Sequence, residues 1–260
     1  METIRIETDA RGVAHLWLAR ADKHNALSAP MIRDLGRAAR VLGADPSVRL
    51  VVLAAEGRSF CAGADLGWMQ DQMRADAGTR RAAARELAMM LDALNTLPKP
   101  LIGRVQGNAF GGGVGLISVC DLAVAVPQAR FGLTETRLGL IPATIGPYVL
   151  ARLGEARARR VFMSARLFGA DEAVRLDLLA GLADPGTLDA AIEAEILPYL
   201  SCAPGAVAAA KRLARRLGPP IGPAEIEASI EALVDVWEGQ EAPEGIAAFF
   251  DKRKPRWQSG

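Results

Sequence analysis

Three stretches of this sequence combine residue types that could do chemistry on a carbonyl group. The first is the run Gly111-Gly112-Gly113, which opens an apolar segment of helical character. Glycines at a helix entrance let backbone N–H groups approach an oxyanion, and the helix dipole favours negative charge there. The second is Phe60-Cys61-Ala62-Gly63-Ala64-Asp65-Leu66, a tight turn after a buried strand that can expose N–H groups at Gly63 and Ala64. Two such turns provide two backbone donors for one oxygen, the arrangement that stabilises developing negative charge. The third is Glu135, set between Thr134 and Thr136 with mostly uncharged flanks. A partly desolvated glutamate acquires a raised pKa and becomes a usable acid or base. Together these residues point to proton transfer beside an enolate.

Each stretch also has a plainer reading. The glycines could serve close helix packing, and Asp65 could simply cap the helix that follows it. Gly113-x-Gly115 after a strand, with an acid about twenty residues on, nearly imitates a dinucleotide fingerprint. The third glycine of that pattern is replaced by Ser118, and Glu135 lies inside Phe131-Gly132-Leu133-Thr134-Glu135-Thr136 rather than at a strand end. Cys61 as a nucleophile would need a histidine base, and the chain has only His15 in an alternating strand and His24 in a loop. Arg152, Arg157, Arg159 and Arg160 read as a solvated helix face rather than a nucleic-acid patch.

The elements that must position these residues follow from periodicity. Ile4–Thr8 and Val13–Leu18 read as a hairpin, with a polar loop at 20–27 and a helix capped by Ser28 that reaches about Leu42. Leu50–Ala54, Leu101–Val105 and Leu122–Val126 are apolar runs of buried-strand length. Between them lie Asp65 as a helix cap, a polar Arg-rich stretch at 70–85 expected as a loop or weak helix, and a helix from Arg85 to Leu97. The glycine run opens a helix to about Cys120. Beyond Pro142 the pattern is almost wholly helical: 142–153, 155–164, 170–178, 186–200, 204–217, 222–238 and 242–252. The rhythm of buried strands followed by helices indicates an α/β core at 1–194, with a helical appendage at 195–260.

Composition sets bounds. The 260 residues are 50% hydrophobic and 23% charged, as in a globular protein with a sizeable core. A net charge of +1 gives no global drive toward nucleic acid or an anionic membrane. Three widely spaced cysteines (Cys61, Cys120, Cys202) form neither a disulfide framework nor a zinc pattern. The sequence has no secretory h-region and no bilayer-length apolar run, so a cytoplasmic protein is expected.

Taken in order, R-A-D-K-H-N-A-L-S (20–28), F-C-A-G-A-D-L (60–66), G-N-A-F-G-G-G (107–113), C-D-L-A-V-A (120–125), F-G-L-T-E-T-R-L-G-L-I-P (131–142) and A-F-F-D-K-R (248–253) resemble the crotonase, or enoyl-CoA hydratase/isomerase, superfamily. The resemblance covers essentially the whole chain. It implies a right-handed spiral of ββα units with a C-terminal helical region that mediates homotrimers, often paired into hexamers. It also implies an acyl-CoA thioester substrate, with no cofactor beyond the coenzyme A the substrate carries, no metal, no nucleic acid and no membrane partner. Carried over by motif, the Ala64 and Gly112 N–H groups form the oxyanion hole and Glu135 is the catalytic glutamate. Lys23, His24, Ala62, Ala64, Asp65 and Leu66 line the coenzyme A groove, and Phe249 and Lys252 reach the nucleotide end of a coenzyme A bound mainly by a neighbouring subunit.

One departure stands out: hydratases of this type carry a second glutamate two residues after the glycine run, where this chain has Gly115. The run G-G-G-V-G-L-I-S-V-C-D with L-I-P-A-T-I-G-P-Y-V (140–149) resembles bacterial hydratases of the methylglutaconyl-CoA type and relatives acting on isoprenoid-derived glutaconyl thioesters. The expected activity is therefore hydration of a 2-enoyl-CoA, with Glu135 as both base and acid, the space freed at Gly115 assisting, and a branched acidic acyl group contributing its own carboxylate. Two alternatives stay open: an enoyl-CoA delta-isomerase using Glu135 as a proton shuttle, and a weakly catalytic binding or scaffolding relative. Trp68, Met69, Met73, Met89 and Met90 are candidate acyl-pocket residues.

Overall fold

The computed structural model describes residues 1–258. The chain begins with an antiparallel pair, β1 (Ile4–Thr8) and β2 (Val13–Leu18), followed by α1 (Ala29–Ala44). The strand β3 (Leu50–Ala55) is six consecutive buried residues, so it must be covered on both faces. Next come β4 (Ser59–Cys61), α2 (Leu66–Arg74), α3 (Ala77–Asn95), β5 (Leu101–Val105), β6 (Asn108–Phe110), α4 (Gly112–Ser118), β7 (Leu122–Ala125) and β8 (Arg130–Gly132). The remainder is α5 (Gly146–Leu153), α6 (Glu155–Phe162), β9 (Phe168–Gly169), α7 (Ala170–Arg175), β10 (Gly181–Leu182), α8 (Leu188–Leu200), α9 (Pro204–Leu217), α10 (Pro223–Glu238) and α11 (Glu241–Phe250).

The strands form two sheets, one ordered β1-β2-β3-β5-β7-β10 and the other β4-β6-β8-β9. Each successive pair, β3–β4, β5–β6 and β7–β8, puts its first strand in the larger sheet and its second in the smaller one. Within each sheet these strands are parallel neighbours. The chain therefore winds as a spiral, one strand per sheet per turn. The turn leaving β4 and the turn leaving β6 are stacked by that winding, which brings residues 61–65 and 110–113 together. The main core runs from Ile4 to Ile196 and includes Phe60, Cys61 and Phe131. A large buried aliphatic or aromatic side chain there contributes roughly 1.5–3 kcal/mol.

The structure bears on four sequence expectations. The 70–85 stretch is helical, in α2 and α3, capped by Asp65 and by Asp76, whose side chain accepts from Thr79 N–H at 2.7 Å. Three of its four arginines are matched by α10: Arg80 pairs with Glu238, Arg81 with Glu231, and Arg85 with Glu227. Those partners lie far along the chain, so local periodicity could not reveal them. The helix expected from residue 142 starts at Gly146, and two short strands, β9 and β10, interrupt the C-terminal half. The boundary expected at 194/195 falls inside α8, which runs through it while burying Ile192 and Ile196. Among the described residues no helix is long and apolar enough to cross a membrane.

Candidate active site

The two stacked turns approach so closely that side chains would obstruct them. Gly63 has φ +93°, and a Cβ built on it would lie 3.1 Å from the Phe110 carbonyl oxygen. A Cβ on Gly111, φ +47°, would lie 2.9 Å from Glu135 Oε1 and 3.8 Å from the Gly63 Cα. Positive φ is a conformation only glycine adopts without strain. Cys61 lies directly beneath α4, so a Cβ at Gly113 would meet its carbonyl oxygen at 2.5 Å.

This packing leaves two N–H groups without an acceptor. Leu27 and Ala64 form a parallel bridge in which Leu27 N–H donates to Gly63 C=O at 2.7 Å and Asp65 N–H donates to Leu27 C=O at 3.0 Å. The Ala64 N–H is thereby turned away from Leu27. Gly112 is the first residue of α4, where an amide has no intrahelical acceptor. Neither amide donates a hydrogen bond among the described residues. Ala64 and Gly112 both line one cavity of about 410 Å³.

Glu135 lines the same cavity. It begins a single turn, Glu135–Leu138, which ends at Gly139 in the left-handed region with φ +68°. The residue retains some exposure overall, but its Oε2 is buried with no hydrogen-bond partner. Burial pushes its carboxyl pKa up to about 7, opposed only by a backbone hydrogen bond. The proton at this site is therefore exchangeable near neutrality. Helix α11 supports the turn almost backbone to backbone, since a Cβ on Gly245 would meet the Leu138 carbonyl at 2.5 Å.

Much of the remaining wall is apolar, from Leu27 and Ile32 to Trp68, Met69, Leu87, Leu140, Leu233 and Trp237. The sequence matches the family model for enoyl-CoA hydratase/isomerase over residues 8–260. The chain belongs to that family.

Solved structures agree. An enoyl-CoA hydratase from Shewanella pealeana is 38% identical, with 98% of this chain and 96% of that one covered and a TM-score of 0.81. An enoyl-CoA hydratase from Mycobacterium avium is 32% identical with a TM-score of 0.85, covering 99% of this chain and 100% of that one. The mitochondrial methylglutaconyl-CoA hydratase of Mus musculus is 31% identical over 259 residues, 97% of this chain and 82% of its own length.

Within this family frame, the cavity wall brings together Ala62, Ala64, Leu66, Gly112, Glu135 and Phe249. Asp65 sits beside it as the α2 cap, accepting from Gly67 and Trp68 N–H groups and pairing with Arg20 Nη2 at 3.0 Å. Burial raises the Asp65 pKa, but the Arg20 guanidinium and those N–H groups outweigh it and hold the carboxyl low. Lys23, His24 and Lys252 do not line this cavity. Lys23 and Lys252 are exposed, while His24 Nδ1 is 3.0 Å from Ser59 Oγ and the His24 carbonyl accepts from Ala62 N–H. Phe249, expected to serve a neighbouring subunit's ligand, lines the cavity of its own chain.

Gly115 requires a clear correction. It does not line the cavity and no space is free there, because a Cβ at 115 would lie 2.5 Å from Ile145 Cγ2. Ile145 fills the volume that a side chain at 115 would need, and Ile145 itself reaches the cavity wall. Of the candidate pocket residues, Trp68 and Met69 line the cavity and Met73 packs behind them, whereas Met89 is exposed and Met90 belongs to the main core.

Sequence reasoning missed the residues that hold the loops in place. Asn25 is fully buried, accepting from Arg20 N–H at 2.9 Å and donating to the carbonyls of Glu56 and Ser59 at 2.8 and 2.9 Å. It ties the 20–27 loop to the strand leading into the 61–65 turn. Asn25 and His24 both have positive φ, so an H-N pair in a polar loop was the available signal. Cys61 is buried with its thiol pKa pushed up to about 12, which removes it as a nucleophile.

Proposed function

We propose that this enzyme hydrates a 2-enoyl-CoA thioester, with the Ala64 and Gly112 N–H groups holding the thioester oxygen and Glu135 carrying the protons. The observation that carries the reading is the Glu135 carboxyl: among the described residues the one acid on the wall, with Oε2 buried and unpartnered and a pKa of about 7. In the ionised state it takes a proton from water as the water oxygen bonds to the β-carbon. The double-bond electrons move to the thioester oxygen, where the two N–H groups stabilise the enolate. Collapse of the enolate takes the same proton from Glu135 to the α-carbon. One water is added, Glu135 is regenerated, and no electrons are exchanged with any further group. Coenzyme A enters as part of the substrate, and the reading calls for no separate cofactor. One oxyanion donor is worth about 10²–10³ in rate, and a positioned acid–base group about 10²–10⁴.

The acyl group we favour is branched and acidic, of the 3-methylglutaconyl class. Its support is the filled Gly115 position, which leaves Glu135 as the one carboxylate on the wall among the described residues, together with the similarity to a methylglutaconyl-CoA hydratase. The same filled position favours a second reading, a delta-isomerase, because moving a proton between two carbons needs no second carboxylate. We also read the enzyme as a homotrimer or a pair of trimers. In the single chain α9 has no buried residue and exposes Leu213 and Leu217, and Leu197 of α8 is exposed too.

Turnover of crotonyl-CoA, 3-methylglutaconyl-CoA and a 3-enoyl-CoA, read by mass, tests the reaction. A product heavier by one water supports hydration. An unchanged mass with a moved double bond makes this an isomerase, and no product from any of them leaves a binding relative.

A further inference from the structure

We infer that Arg137 sets acyl selectivity, by pairing with a carboxylate carried on the acyl group. The inference rests on the hydratase reading and deepens it. Arg137 lies two residues beyond Glu135 on the same single turn and lines the same cavity. Among the described residues on that wall it is the one cation, as Glu135 is the one acid.

Three observations leave its charge available. Its guanidinium has no ion-pair or hydrogen-bond partner among the described residues, unlike Arg157, paired with Asp177, Arg159, paired with Glu155, and Arg166, paired with Glu172 at 2.7 Å. Its turn is anchored by other residues, through Thr136 Oγ1 to the Met163 carbonyl at 3.2 Å and through Leu138 packed against α11. Among the described residues no ion pair joins Arg137 to Glu135, whose Oε2 is without a hydrogen-bond partner, so the carboxyl does not neutralise the guanidinium.

Apart from the Ala64 and Gly112 N–H groups assigned to the thioester oxygen, the apolar side chains of the wall offer no partner to a negative charge. An anionic substituent against Trp68, Met69, Leu140 and Leu233 would be desolvated without a partner, which is strongly unfavourable. A guanidinium at the edge of that wall offers planar, bidentate pairing with a carboxylate. The exposed position of Arg137 requires the acyl carboxylate to reach the cavity edge.

The test compares two saturated, unreactive ligands with the same coenzyme A and the same five-carbon chain, glutaryl-CoA and pentanoyl-CoA. Calorimetric binding is measured for the wild type, Arg137→Met and Arg137→Lys. The wild type should prefer glutaryl-CoA. Arg137→Met should reduce the glutaryl/pentanoyl affinity ratio by about 10- to 100-fold, the worth of a hydrogen bond to a charged group, and Arg137→Lys should retain part of it. An unchanged ratio overturns the inference, whether both affinities fall together (a contact to the coenzyme A phosphates) or neither falls. A wild type without preference for glutaryl-CoA overturns it as well. Hydration of crotonyl-CoA and of 3-methylglutaconyl-CoA by the wild type, run alongside, separates the cases: activity on either with an unchanged ratio sinks only the role of Arg137, whereas no hydration of either sinks the underlying reading.

Discussion

Replacing Glu135 with Gln should stabilise the protein above neutrality while removing its activity. The carboxyl pKa is raised from an ordinary 4.5 to about 7 in the folded chain because burial penalises the charged form. Below the lower value both folded and unfolded states hold the proton, and the site is neutral in its effect. As pH rises from 4.5 toward 7 the unfolded state releases its proton first, so stability falls. Above 7 both are ionised and the penalty is constant. Integrated between pH 5 and pH 8, the expected loss is about 2.5 kcal/mol in the wild type and absent in Glu135→Gln. For a chain of this size that corresponds to roughly 5–10 °C in Tm. The assay is urea or thermal unfolding of both proteins at several pH values, with the difference between them plotted against pH. Other titrating groups cancel in that difference. A difference that is flat from pH 5 to pH 8 would refute the buried, unpartnered carboxyl on which the reading of this site depends.

Further outcomes follow from the same geometry. On the proposed mechanism Glu135 takes a proton from water only when ionised, so kcat/KM for hydration should rise through about pH 7; a profile that instead falls there would assign it the acid role in the first step. Gly115→Glu should destabilise the fold by about 1–3 kcal/mol or more through the clash with Ile145, and Gly115→Glu combined with Ile145→Ala should recover much of that loss. Equal stability of the single and double variants would contradict the packing described. Asn25→Ala removes the side-chain donor of the Glu56 carbonyl and one of the two donors to the Ser59 carbonyl, leaving only Gln106 Nε2 there, at about 1–3 kcal/mol, and should also lower kcat/KM as the 61–65 turn loosens, checked by chemical unfolding and steady-state kinetics.

How much of this was legible in the sequence depended on whether the deciding contact was local. The buried strands announced themselves, because Leu50–Ala55 has no polar residue to place outward. The glycines of 111–113 and the acid at 135 carried their chemistry in residue type, and the ordered motifs identified the family. The Arg-rich stretch at 70–85 looked weakly structured because its matching acids lie on α10. Gly115 looked like a vacancy because nothing in the sequence shows that Ile145, thirty positions on, occupies the volume above it. The start of a helical appendage expected near 195 falls within α8, where Ile192 and Ile196 are buried, a tertiary contact that the run of helical periodicity does not show. The role of α11 was equally hidden: Gly139 and Gly245 permit the backbone-level contact that supports the Glu135 turn, and neither glycine belongs to a periodic pattern.

The most direct test of the central claim is the turnover of a 2-enoyl-CoA by Glu135→Gln against the wild type, with the affinity of each for a saturated acyl-CoA measured in parallel. The account predicts that formation of the hydrated product drops by about 10²–10⁴-fold while acyl-CoA affinity is retained. Hydration that persists at the wild-type rate in Glu135→Gln would contradict it, and the proton carrier would then have to be sought elsewhere.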